Sequence, residues 1–351
     1  MAIAVALVVG GPLIVRARPV DAPDLAAGEL LSLVRSAADD GYSGTIELNG
    51  SLQLPVASRF TDIGDLFGGH TTLRVWWRDR DDWRVDKQLP AGETDLLHHG
   101  RWTTQWSYER RQFVRSVDPE VRLPRTEDLL PPTLARRVLE DVEEADVSAL
   151  PPRRVAGTAA PGLRVGRIDP RSSVGRVDLW ADPASGTVLR IDVYAVGDDS
   201  ASFSAKFTDY SGRTPAGSTT EFRPPHDADV TIDDVLDIAD AANQYAPFSP
   251  PGTAAGLPRA RRPQGAVGVY GSGLTRILVI PLRHRDWHTL RDQIRVSPGA
   301  AETEVGVALQ AGPLGVLVAN AGERSWLVTG TVTQDTLVDA ALDVSAGGRF
   351  R

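Results

Sequence analysis

The residues able to do polar chemistry in this 351-residue chain are few and poorly grouped. Its six histidines offer only two groupings, His98-His99 and His284-x-x-x-His288. Two histidines four apart on a helix share a face and can hold zinc, but the metalloprotease pattern also needs a glutamate directly after the first. Arg285 stands there, with Arg283 and Asp286 crowding the pair, so no metal site is expected. There is no cysteine, which removes a thiol nucleophile, a thiolate zinc site, a disulfide framework and a lipidated cysteine. Ser43, Ser185, Ser211 and Ser272 each precede a glycine, yet no Gly-x-Ser-x-Gly elbow surrounds them. Gly271-Ser272-Gly273 lacks the lysine of a phosphate-binding loop. Asp79, Asp81 and Asp82 fall in a charge-dense turn, and Asp233, Asp234 and Asp237 on a helix face, where carboxylates are solvated. No nucleophile, base and orienting group come together, so the chain does not read as an enzyme and calls for no cofactor.

What remains is apolar chemistry. Trp76, Trp77, Trp83, Trp102, Trp106 and Trp180 all fall in strand-like segments. Strand alternation sends Trp76 and Trp77 to opposite faces of a sheet, so they cannot all be core. A curled sheet lined by Trp, Leu and Phe makes a pocket of the sort that takes acyl chains. Leu73, Val75, Trp77, Trp83, Leu97, Trp102, Trp106 and Phe113 are the expected lining. Each buried methylene there contributes roughly 0.8 kcal/mol. Ordinary packing beneath helices is the competing account of the same residues.

The elements that must position these side chains run from Thr71 to Val117. Leu73, Val75 and Trp77 alternate with Arg74, Trp76 and Arg78, and Trp83, Val85 and Lys87 with Arg84 and Asp86. Three more strands follow at Asp95 to His99, Arg101 to Tyr108 and Arg111 to Val117, with turns short enough for an antiparallel meander. Such a sheet has one apolar face that needs a cover. Asp24 to Ala38 supplies an amphipathic helix, with Asp24 as its cap and Leu25, Leu30, Leu31 and Val34 on one stripe. Thr126 to Asp146 supplies a second helical region, with Pro131-Pro132 at a break or first turn. Thr61 to Gly69 reads as a hairpin tip or a lid over one end of the sheet. Further strands lie at Arg154 to Ile168, Gly175 to Trp180, Thr187 to Tyr194 and Ala201 to Tyr210. The architecture is α+β: one curled antiparallel half-barrel sheet of nine to eleven strands covered by helices. Thr231 to Asn243 reads as a short acidic helix. Residues 23–243 form this first domain and the Pro/Gly-rich stretch 244–264 a linker. Residues 265–345 form a small C-terminal α+β domain with its own strands and a last helix, Thr333 to Val344.

The formal net charge of −8 and the lack of a Lys/Arg stripe argue against a nucleic-acid partner. Ala2 to Val15 is a weakly apolar run, short of the roughly 20 residues of a membrane-spanning helix. It fits the core of a secretory signal or a clipped anchor within residues 1–22, with Val20 and Ala22 at a cleavage site, although no Lys or Arg precedes it. An exported or tethered protein is expected.

Three motifs in order carry a resemblance. Tyr42-Ser43-Gly44 opens a strand after the N-terminal helix, Trp83-Arg84-Val85-Asp86 follows, and Leu179-Trp180-Ala181-Asp182-Pro183-x-Ser185-Gly186 forms a hairpin. This resembles the LolA-like lipoprotein-carrier superfamily. With the C-terminal unit, opened by Tyr270-Gly271-Ser272-Gly273-Leu274 and a strand ending Val279-Ile280-Pro281-Leu282, it is similar to the sigma-E regulatory family of RseB and MucB. The resemblance spans about residues 24–345. It implies a half-barrel with an apolar cavity for acyl chains, an extracytoplasmic location, and two partners: a membrane-bound anti-sigma factor and a lipid or lipoprotein chain. The expected function is non-enzymatic regulation of an envelope-stress sigma factor. A lipid or lipoprotein carrier is the alternative, and a hydrolase with an unrecognised site the remaining class.

Overall fold

The computed structural model describes residues 20–52, 67–89, 92–118, 122, 124–232, 242–244, 248–260, 265–321 and 324–350. The expected signal or anchor, most of the Thr61 to Gly69 excursion and nearly all of the acidic helix after Thr231 lie outside the described residues.

One twelve-stranded sheet dominates. Its strands are β1 (Tyr42–Gly50), β2 (His70–Asp79), β3 (Asp82–Leu89), β4 (Gly92–His99), β5 (Trp102–Ser107), β6 (Gln112–Val117), β7 (Val147–Val155), β8 (Thr158–Val165), β9 (Val174–Ala181), β10 (Val188–Ala195), β11 (Phe203–Ser211) and β12 (Asp229–Ile232). They lie in the order β12-β6-β5-β4-β3-β2-β1-β11-β10-β9-β8-β7 as a curled, unclosed sheet. The chain thus lays down two meanders that meet where β1 pairs with β11. All neighbours are antiparallel except β12, which runs parallel to β6 from Asp229↔Gln112 to Ile232↔Arg115. That edge strand ends on Thr231 and Ile232, where the sequence suggested the start of a helix. Short turns set the registers: Ala156 and Gly157, at φ 47 and 83, take the left-handed turn joining β7 to β8.

The inner face is apolar. Ile46, Leu48, Leu73, Val75, Trp77, Trp83, Val85, Leu163, Leu179, Ile191, Ala205 and Phe207 form one buried cluster with the helices. Helix α1 (Ala27–Ser36) buries Leu30, Leu31 and Val34 there. Its first turn is held by Glu29, whose carboxylate accepts the Ala26 N–H at 3.0 Å, so the cap lies at Ala26 and not at Asp24. Helix α2 (Pro131–Val138) begins on Pro131-Pro132 as expected, since proline fits the first helical turn, where its missing N–H costs nothing. The other face of the sheet carries ion pairs laid across strands, such as Arg164–Asp178 at 2.6 Å and Lys206–Glu47 at 2.9 Å.

Between the two units come the two-residue strands β13 (Phe248–Ser249), β14 (Thr253–Ala254) and β15 (Leu257–Pro258). The second sheet contains β16 (Gly268–Ser272), β17 (Thr275–Leu282), β18 (Ala300–Thr303), β19 (Gly306–Ala311), β20 (Leu314–Ala321) and β21 (Arg324–Gly330), in the order β16-β17-β21-β20-β19-β18. Helix α4 (Gln334–Gly347) buries Leu337, Ala340, Ala341 and Val344 on one side. Helix α3 (His284–Arg295) buries Trp287 and Ile294 against Val307, Leu309 and Val318 on the other. A seryl contact fastens the two units together: Ser172 Oγ donates to the Leu274 and Thr331 carbonyls, and the Ser173 hydroxyl donates to that of Pro313.

Candidate ligand cleft

Cross-strand partners share a face, and the registers split the eight residues expected to line one pocket. Leu73, Val75, Trp77 and Trp83 are on the inner face, each at most 4% exposed, packed beneath the helices. Leu97 pairs with Arg84, so it points the other way. Through Leu97↔Thr104, Asp95↔Trp106, Trp106↔Phe113 and Trp102↔Val117, the side chains of Trp102, Trp106 and Phe113 follow it to the outer face. The sheet itself separates the two sets, so the eight do not form one wall. Trp106 and Phe113 are instead covered by Phe222, with ring centroids 5.4 and 6.2 Å away. Half-buried Trp102 lies beside the guanidiniums of Arg101 and Arg115, 4.7 and 4.5 Å from its ring.

The inner-face aromatics stack in register. Tyr42, Trp77, Trp83 and His98 sit opposite one another on β1 to β4, with successive centroids 6.0, 5.7 and 5.4 Å apart and planes within 11°. Burial pushes the Tyr42 phenol well above its ordinary range. It likewise lowers the His98 imidazole, against the pull of Asp118. His98 Nδ1 meets Thr103 Oγ1 at 2.9 Å, while His99 is exposed; neighbours on a strand, the two cannot converge on one ion. Beyond His98 lies a buried ionic knot in which Arg122 binds Asp128 at 2.6 Å and Glu127 at 2.9 Å.

The cleft lies elsewhere, between the helices and the β9–β10 turn. Its volume is ≈ 240 Å³. Val34 and Ala37 from α1, Pro132 and Leu139 from α2 and its end, and Gly186 and Val188 supply apolar or small walls. Gly186 is required by both conformation and space: its φ is 83, and a Cβ would fall 2.4 Å from the Leu33 carbonyl of α1. The polar rim holds Arg35, Arg136 and Glu140. Arg35 donates to the Leu139 carbonyl at 2.9 Å and to that of Val142, tying α1 to the end of α2. Burial and the neighbouring Arg80 lower the Arg136 guanidinium, a sign of local positive field. Glu140 pairs with Arg276 of the second unit at 3.0 Å. An apolar slot rimmed by two guanidiniums suits an acyl chain with an anionic end.

Other chemistry is not assembled there. Ser185 Oγ is engaged within its turn by Asp182 and Thr187, both at 3.0 Å. His284 and His288 bring their Nε2 atoms to 3.0 Å on the exposed side of α3, and among the described residues no third protein ligand joins them. Asp86, Glu93 and Asp95 converge, but Arg84 donates to both aspartates, 2.7 Å from each, in the place a cation would take. Among the described residues, no helix is long and apolar enough to cross a membrane.

The architecture is thus a curled half-barrel with helices on its inner face, followed by a smaller two-helix sheet unit. No family model matches the chain, and neither does any curated protein sequence. Among solved structures, it is similar to the MucA/MucB complex of Pseudomonas aeruginosa, at 17% identity and TM-score 0.52, over 93% of this chain and 99% of that one. It is also similar to MucB in complex with MucA(peri), at 18% identity and TM-score 0.49 over the same shares. A LolA superfamily protein from Nitrosomonas europaea matches at 12% identity and TM-score 0.27, over 57% of this chain and 99% of that one. The chain therefore has the MucB fold, first and second units in the same order.

Proposed function

We propose that this chain is a non-enzymatic, extracytoplasmic regulator of an envelope-stress sigma pathway, which binds a membrane-spanning anti-sigma factor and senses a lipid or lipoprotein acyl chain. The observation that carries this reading is the end-to-end likeness to MucB of a MucA/MucB complex, 93% of this chain against 99% of that one. The acyl chain enters the slot between α1, α2 and the β9–β10 turn, while Leu73, Val75, Trp77 and Trp83 form the packed floor on which the helices rest. The hydrogen-bonded contact at Ser172 and Ser173 supports regulation, because it fastens the slot-bearing unit to a second body that carriage of a chain does not require. A carrier using the same slot is the second reading.

Two measurements on residues 24–351, purified from an exporting host, test the proposal. Native mass spectrometry with lipid extraction should find a co-purifying acyl chain, lost when Leu139→Arg places a charge in the slot. Titration with the extracytoplasmic part of an anti-sigma factor from the same organism should give a saturable complex that added lipid weakens. Lipid binding without any anti-sigma complex would leave the carrier; neither would remove both readings.

A further inference from the structure

The outer face of the sheet buries a group of charges that the proposed function does not use. Asp86 and Asp95 are both 0% exposed, adjacent across β3 and β4. Glu93 joins them from β4. Two cations answer these three carboxylates: Arg84, 2.7 Å from both aspartates, and Arg74, 2.7 Å from Glu93 and 3.5 Å from Asp86. One negative charge is left over. Its place is visible: Arg84 takes one oxygen of Asp95, and the other, Oδ1, is buried with no N–H donor, beside the carboxyl of Glu93. Across from Asp95 on β5, the indole N–H of buried Trp106 is unpartnered too. An unpaired charge in so dry a place is costly, and a proton is the smallest group that neutralises it.

A single strand of chain lies over this part of the sheet. After β11, residues 212–228 leave the middle of the sheet, pack at Gly217–Thr220 against β2 and β3, set Phe222 on Trp106 and Phe113, and continue into β12 on the far side of β6. This strap is held by Arg78, which binds Asp82 at 2.7 Å and also donates to the Pro215 carbonyl, by the Arg111–Asp227 pair, and by the ladder of β12 on β6. Beneath it, Trp106, the cross-strand partner of Asp95, carries the Phe222 ring of the strap.

We propose that one proton on the Asp95 carboxyl decides whether this strap, residues 212–232, stays seated on the outer face of the sheet. Protonated, the patch is neutral and the strap lies down; ionised, Asp95 draws water past Trp106, Phe222 lifts, and the apolar surface of Trp106 and Phe113 becomes available. The groups facing Asp95 are Arg84 and Asp86 from β3, Arg74 from β2, Glu93 from its own strand and Tyr108 from the turn after β5, with Glu109 accepting the Glu93 N–H at 3.0 Å. Their balance favours the proton: burial, then the charge of Asp86, push Asp95 up to about 7 against the pull of Arg84. The strap is thus closed in acid and opens around neutrality, independently of any acyl ligand.

Hydrogen exchange of residues 212–232, read by mass spectrometry from about pH 5.5 to about pH 8.5 and corrected for intrinsic chemistry, tests this. One linked proton makes opening rise about tenfold per pH unit as pH climbs from the ordinary carboxylate range toward about 7, and level off above it. Asp95→Asn should remove that rise, and Glu93→Gln, which takes away a charge that favours the proton, should make it level off at lower pH. Phe222→Ala should leave the strap open at every pH. A wild-type strap whose protection ignores pH would overturn the proposal. So would a folded Asn variant that keeps the rise, or, if that variant does not fold, a Gln variant whose rise levels off at the wild-type pH.

Discussion

If the slot between α1 and α2 takes an acyl chain, affinity must depend on chain length in a way its volume sets. A space of ≈ 240 Å³ holds about eight water-sized units of ~30 Å³, and a methylene needs about the same room. At roughly 0.8 kcal/mol per methylene, each added carbon should tighten binding about fourfold up to about eight carbons, and then stop. The gross gain of about 6 kcal/mol meets an association cost of at least about 4 kcal/mol. A charged hydrogen bond from the anionic end to the guanidinium rim adds about 1.5–3 kcal/mol, placing the plateau between about 3 mM and about 0.2 mM. Isothermal titration with straight-chain alkanoates of four to fourteen carbons reads this directly. Ala37→Leu adds three carbons to the slot wall and should bring the plateau forward by about three methylenes. Arg136→Gln should weaken every member equally and leave the slope intact. A slope indifferent to chain length, or a plateau that Ala37→Leu does not move, would refute the assignment of the slot.

Asp95 makes stability depend on pH with an unusual sign. Its folded value, about 7, lies above the unfolded carboxylate range, so its contribution is full below about pH 4 and is lost as pH rises toward 7. The span corresponds to up to about 4 kcal/mol, and urea melts should show it in the wild type and much less in Asp95→Asn. Trp83→Ala removes a ring stacked between Trp77 and His98 and should cost about 3–5 kcal/mol, whereas Trp102→Ala, half-buried under two arginines, should cost about 1 kcal/mol or less; denaturant midpoints separate the two faces. Gly186→Ala forces a left-handed residue and a clash with the Leu33 carbonyl, so it should destabilise by more than about 1 kcal/mol and disturb acyl binding through α1.

How far the fold could be read in advance differs along the chain for local reasons. The meander from β2 to β6 was legible because period-two alternation and short charged turns recur without interruption. Helix α3 is less legible, although Trp287, Leu290 and Ile294 recur three and four apart, because charged and polar residues surround the stripe. The parallel strand β12 was not legible at all. Its four residues have no pattern of their own, and their pairing with β6 is decided by a strap that begins far away at β11.

The site was less legible than the fold, and β4 shows why. The phase of alternation passes from strand to strand through register, and Leu96-Leu97 puts an apolar side chain on both faces at once. From that point either phase satisfies the pattern, so Leu97, Trp102, Trp106 and Phe113 could be grouped with Trp77 and Trp83 although the sheet divides them. Asp86 and Asp95 would have fixed the phase, since two aspartates facing each other across β3 and β4 must share a face with the arginine between them. Their burial, however, depends on a covering segment more than a hundred residues later. The slot is non-local for the same reason: Val34, Arg136 and Val188 meet only because α1, α2 and the β9–β10 turn are brought together by the curl of the sheet. On the two proposals, a sheet this wide carries two separate chemistries, an acyl slot at the end of its inner face and a proton-bearing patch on its outer one. The polypeptide between them is a single layer of backbone, so a ligand on one face and a proton on the other can act on the same strands without sharing a residue.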